Sequence, residues 1–389
     1  MNSVFSNTNP LSTNRKSKIL LGNSSPFTRG MSLKVRPIAF YSPQYYPNYE
    51  SEGMVTPSSE WRKIAKALPL FKHHYQPHIP LDLGFYDLRV SHVRAKQAEL
   101  AKNYGIYGFC YYHFWFNGKP MLEKPFDEVL NSSKPDLPFC ICWSNENWTG
   151  KLSGSSHQAD LVHNYNFDDD KNHIRYLFRA FEDDRYIKVD GKPVFLIYRT
   201  ELFPDINRTA EIWREETYKH GLKGLYLIKV ESYTSIDPRH IGFDAAIEFQ
   251  PDWRNLPSPV YGSLPAKVLS KLKIRRSPYV DHKIISYSSL MDKMLQKEIG
   301  TYKLYRGITP MWDNSARRNK EALILHGSKP EYYEKWLKNI VKGFKPYSPE
   351  EDFIFINGWN GWAEGNHLEP CEKWGKAYLE ATLNALKNA

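Results

Sequence analysis

The chain has 389 residues, with 53 Lys and Arg against 43 Asp and Glu, a formal net charge of +10 with His neutral. Apolar residues make up 41% and no run approaches the roughly 20 apolar residues of a membrane span, so a membrane-spanning or wholly disordered chain is excluded. The length allows two or three domains of about 150 residues, or one elaborated α/β barrel.

Short, nearly continuous apolar runs at 38–41, 107–113, 138–143, 194–198, 224–230, 245–249, 307–311 and 353–357 read as strands buried on both faces. Amphipathic stretches at 91–104, 168–181, 205–220, 289–299, 329–342 and 374–387 fall between most of them and read as helices. The acids Asp168, Asp169 and Asp170 precede Ile174, Leu177 and Phe178 as first-turn residues facing a helix dipole. Strands alternating with helices imply parallel pairing through crossovers, and eight such units make a single (β/α)8 TIM-type barrel the expected fold. A doubly wound sheet is the alternative, but no strand runs into a G-x-G-x-x-G turn. Segments 48–76, 148–167 and 251–283 interrupt the spacing and are expected to be loops on the substrate side, not separate domains. Residues 1–35 are rich in Ser and Asn and read as a disordered tail, with the barrel spanning 36–389 and translation starting at Met1 or Met31.

The only apolar run of the first 31 residues, Ile19 to Leu21, is shorter than the h-region of a secretory signal. Four cysteines without a C-x-x-C spacing fit a reducing compartment, and the cytoplasm is the expected location. The basic residues are scattered except for KLKIRR, Lys271 to Arg276, so nucleic acid is not an expected partner. That cluster is instead the natural point of peripheral contact with an anionic membrane, at its inner face. His73, His74 and His78 have no carboxylate at ligand spacing, and neither a metal nor another cofactor is expected.

Barrel chemistry sits at the C-terminal ends of the strands. The residues there are Tyr41 and Gln44; Tyr112; Trp143, Asn145 and Glu146; Glu248; Trp312 and Asp313; and Trp359, Asn360, Glu364 and His367. Aromatic rings stack on sugar faces, amides and carboxylates bind hydroxyls, and a protonatable carboxylate serves a glycosidic oxygen. Core packing accounts for any one of these tryptophans, but not for the same mixture at several strand ends.

The runs IAFYSPQ (38–44), YQPHIPLDLGFYDLR (75–89), GIYGFCYYHFWFN (105–117), WSNENWT (143–149), RGITPMWDNSARR (306–318) and NGWNGWAEGNHLEP (357–370) resemble the WbsX-type glycosyltransferases. These are bacterial carbohydrate-active proteins of polysaccharide gene clusters, similar to glycoside hydrolase family 99, the endo-α-mannosidases. The resemblance implies a (β/α)8 barrel acting on α-linked sugars, with an oligosaccharide or lipid-linked glycan as partner. It also implies a pair of carboxylates in a W-N-E-W-x-E-G motif, the first an assisting base and the second the acid/base. Here the second is Glu364, whereas Gly361 stands at the first.

Glycine supplies no proton acceptor, and assistance of this kind is worth on the order of 10²- to 10⁴-fold. It is also expected to give the loop freedom at positive φ. Three readings stay open: Glu146, Glu248 or Asp313 takes over as base, the chain runs a sugar transfer that needs no such base, or it binds glycans without catalysis.

Overall fold

The computed structural model describes residues 33–47, 57–148, 161–260, 277–298 and 300–388. The tail up to residue 32 and the basic cluster at 271–276 lie outside the described residues. Eight strands build the central sheet: β1 (Arg36–Tyr41), β2 (Gly108–Phe116), β3 (Phe139–Trp143), β4 (Lys192–Ile197), β5 (Tyr226–Glu231), β6 (Ala245–Glu248), β7 in two pieces (Leu304–Tyr305 and Gly307–Ile308) and β8 (Phe353–Ile356). Every neighbouring pair is parallel, and β8 returns to β1 with Ile38 opposite Phe355.

The last gap is closed by β7. Its first piece pairs with β6, Leu304 opposite Ala246, and its second with β8, Gly307 opposite Phe355. The strand can change partners at Arg306 because position 307 is glycine: a Cβ there would lie 1.7 Å from the backbone oxygen of Glu248. The barrel expected from the alternation of runs is therefore present, with each strand overlapping its apolar run, although β7 begins at Leu304, ahead of the run at 307–311.

Eight helices of nine residues or more accompany the described strands: α1 (Pro57–Ala65), α2 (Ser91–Asn103), α3 (Lys124–Ser132), α4 (Phe167–Phe181), α5 (Ile206–Lys219), α6 (Tyr287–Leu295), α7 (Pro330–Gly343) and α8 (Ala377–Lys387). Their starts are chemically marked. Asn166, Asp205 and Ser286 each accept a hydrogen bond from the backbone N–H three residues on, and Pro330 opens α7. Helix α4 buries Ile174, Leu177, Phe178 and Phe181, the stripe its spacing implies. Between β5 and β6 the crossover helix is replaced by one 3₁₀ turn, Pro238–Ile241, so the alternation is not strict.

Two additions sit on the strand ends. Lys283–Ser286 and Leu323–His326 form a parallel pair with its own small core of Ile284, Ala322 and Ile324. A tight hairpin pairs Asn360–Gly361 with Asn366–His367 just after β8. Among the described residues no helix is long and apolar enough to cross a membrane.

Candidate functional site

A cavity of about 540 Å³ opens over the C-terminal ends of the strands. Its wall takes Ser42 and Gln44 after β1, Tyr112 and Phe114 from β2, Glu146 and Trp148 after β3, and Tyr198 after β4. Tyr233, Phe249, Trp253, Trp312 and Arg317 continue it, and Gly361 and Glu364 close it. The interrupting segments do reach this face: Glu60, Trp148 and Trp253 come from them.

Glu364 sits in the 3₁₀ turn Trp362–Glu364, and its side chain is 22% exposed. Arg317 pairs directly with it, and the same guanidinium lies 3.4 Å from Glu60 of α1. Burial pushes the Glu364 carboxyl above the usual range; Arg317 pulls it back and Glu60 pushes it further up. The turn is fixed from behind by Glu369, a buried carboxylate that accepts hydrogen bonds from Tyr86, Gln97, Trp359 and Trp362 at 2.6–3.0 Å. Burial raises Glu369 to about 7 against the pull of those four donors.

The expected site residues divide by depth. Gln44, Tyr112, Glu146, Trp312 and Glu364 line the cavity. Tyr41, Trp143, Asn145, Glu248, Asp313, Trp359, Asn360 and His367 stand behind its wall, each less than 9% exposed. Their contacts show what they hold. Asn145 clamps the backbone N–H and oxygen of Arg199 at 2.8 and 2.9 Å, and Asn360 does the same for Ser42 at 2.7 and 3.0 Å. Tyr41 donates to Gln97, and Trp143 packs edge-on to His173 at 4.2 Å. His367 Nε2 meets His78 Nδ1 at 2.9 Å.

Of the three carboxylates considered as a replacement base, Glu146 alone faces the cavity, where Arg199 pairs with it. Glu248 is enclosed by Lys297 at 2.9 Å and Arg306 at 2.8 Å. Asp313 turns away and accepts from His74 and Gln76, both at 2.7 Å; burial raises its pKa, and His74, helped by His78 and Ser315, more than offsets the rise. Arg317, Glu60 and Trp253 were not singled out from the sequence. Arg317 lies within the 306–318 run already singled out for its resemblance, while nothing local brings Glu60 of α1 beside residue 364.

Gly361 has φ −77° and ψ 55°, so the expected positive φ is absent. What requires glycine is space: a Cβ would lie 2.7 Å from the backbone oxygen of Asn366 and 3.6 Å from Glu364 Oε2. The hairpin has closed over the position where a carboxylate side chain would start.

The structure is thus a closed (β/α)8 barrel with aromatics, amides and a carboxyl raised by burial at its C-terminal mouth. The chain belongs to the family described as Glycosyltransferase WbsX, whose profile it matches over residues 37–382. It is 37% identical over 355 residues to WxcX of Xanthomonas campestris pv. campestris, in each of two strains. That alignment takes in 90% of this chain, and the chain spans about half the length of these relatives. Among solved structures, the GH99 endo-α-mannosidase from Bacteroides thetaiotaomicron matches with a TM-score of 0.55 and 14% identity, covering 92% of this chain and 97% of that one. A glycoside hydrolase-like protein gives 0.56 and 15%, covering 95% and 98%. At such identities these structures bear on the fold alone.

Proposed function

We propose that the chain is a WbsX-type glycosyltransferase that acts on α-linked sugars during assembly of a bacterial surface polysaccharide, whether lipopolysaccharide O-antigen, capsule or exopolysaccharide. The observation that carries the reading is the place of Glu364, paired with Arg317 at the mouth of an aromatic-walled barrel, where burial raises its carboxyl. In this reading Glu364 gives its proton to the oxygen that leaves the anomeric carbon, and the acceptor's hydroxyl oxygen bonds to that carbon in its place and returns a proton to the Glu364 carboxylate. Tyr112 and Trp312 hold the sugar, and Gln44 and Glu146 bind its hydroxyls. The substrate is an oligosaccharide or lipid-linked glycan, met in the cytoplasm or at the inner membrane face, with the 271–276 cluster as the membrane contact.

Glu364→Gln keeps the shape and removes the proton. Transfer to an α-linked acceptor should fall on the order of 10²- to 10⁴-fold while glycan binding persists. The enclosed glycine at 361 favours a second reading, a glycan-binding relative with little or no catalysis. Unchanged cellular polysaccharide in Glu364→Gln, together with loss of glycan binding in Trp312→Ala, would establish that reading over the first. Hydrolysis of α-mannosides by the wild type would place it with endo-α-mannosidase-like hydrolases whose assisting base has been replaced.

A further inference from the structure

Behind the wall formed by Trp312 and Asp313 lies a second cavity of about 390 Å³, within the range of small-molecule sites. Trp312 lines both cavities, so one wall separates them. Their charge is opposite in character. The first carries the carboxylates Glu60, Glu146, Glu321 and Glu364 against Arg317 and Arg318. The second is lined by Lys329 and Lys373, both exposed residues at its rim, and its one lining carboxylate, Asp313, is already engaged by His74 and Gln76.

Among the described residues neither ammonium has a carboxylate within ion-pair distance. Lys373 Nζ rests instead over the rings of Tyr75 and Trp374, 4.3 and 4.7 Å from their centroids. Both rings line the cavity, and their faces meet the ammonium through a cation–π contact, not through an ion pair. A cation at the rim that lies over aromatic faces without a carboxylate partner, next to a sugar-type cleft, matches a sugar that carries an anion. Partial burial also lowers the Lys373 ammonium's pKa, a cost that an anionic ligand would relieve.

We propose that this second cavity is a binding site for an anionic sugar residue, held by Lys373 and Lys329 against the aromatic face of Trp374. The ligand's carboxylate or phosphate meets the two ammonium groups. The proposal rests on the glycan reading of the first cavity and narrows its substrate class to acidic or phosphorylated glycans.

Calorimetric titration of the full chain with glucuronate, mannose 6-phosphate, mannose, inorganic phosphate and a neutral α-linked mannotetraose tests it. Glucuronate or mannose 6-phosphate should bind at least tenfold more tightly than mannose, and whichever is preferred identifies the anion as carboxylate or phosphate. Lys373→Gln should weaken that binding about tenfold, Lys329→Gln should weaken it less, and mannotetraose affinity should stay within twofold. Equal binding of mannose, no effect of Lys373→Gln, or inorganic phosphate binding as tightly as either anionic sugar overturns the proposal. If the anionic sugars bind through Lys373 but mannotetraose does not bind, the second site stands and the reading of the first cavity falls. If no sugar binds, both fall.

Discussion

Arg317 and Gly361 set what Glu364 can do. One guanidinium pairs with both Glu60 and Glu364, and it stabilises the ionised form of Glu364. Removing it leaves burial and the Glu60 charge, and both favour the protonated acid at residue 364. Arg317→Met should therefore move the Glu364 midpoint, followed by carboxyl ¹³C resonances, to higher pH, with the alkaline limb of any pH–rate profile moving the same way. Arg317→Lys should move it less. The change at Gly361 is steric: Gly361→Ala should destabilise by about 1–3 kcal/mol, because the new methyl meets the Asn366 oxygen at 2.7 Å. Gly361→Glu meets the same obstacle, so it should lower the denaturation midpoint without creating hydrolysis; a gain of hydrolysis at unchanged stability would show that the hairpin yields freely.

At the scale of elements, the strand ends deliver side chains at two depths because successive residues of a strand point to opposite faces. Asp313, past the end of β7 at the cap of the 3₁₀ turn Asn314–Ala316, is in extended conformation and shows the same alternation. It lies between Trp312 and Asn314, both lining the first cavity, but faces the second. Strand β7 is the other telling element, since its two short pieces join the sheet edges left open by β6 and β8. Gly307→Ala would drive a methyl into the Glu248 backbone oxygen, so a loss of about 3 kcal/mol or more in urea denaturation is expected. The site floor would loosen with it, because Glu248 ties Arg306 and Lys297 together beneath the mouth.

For the whole molecule, four buried histidines dominate the response to mild acid. Burial holds His78 to about 4 and His113 to about 3, and keeps His173 and His367 well below the ordinary range. They stay neutral in the fold, whereas in the unfolded chain each takes up a proton as the pH falls through about 6.5. The unfolded state then binds more protons, so stability is lost on going from pH 7 to 5. Glu369, raised to about 7, and Asp170, raised to about 6, run the other way, because acid protonates them in the fold first. Glu364 adds to the carboxyl side, while His163, held to about 4, and His282 and His326, also lowered, add to the histidine side. The histidines outnumber the carboxyls and leave a net fall, which melting temperatures at pH 7, 6 and 5 would register. A flat or rising profile would contradict it.

The sequence by itself determined the barrel and the face that bears its chemistry. Apolar strands alternating with capped amphipathic helices have few ways to pair, and local spacing carries that information; it also placed Glu364, Tyr112 and Trp312 at strand ends. Only tertiary structure decided which strand-end residues reach the mouth and which brace it from behind. Asn145 and Asn360 look like sugar ligands in one dimension and turn out to clamp the backbone of Arg199 and Ser42. The pairing of Glu364 with Arg317, and of that guanidinium with Glu60, joins residues far apart in the chain, which no local pattern encodes. The same holds for the second cavity, whose cations come from the start of α7 and the turn before α8.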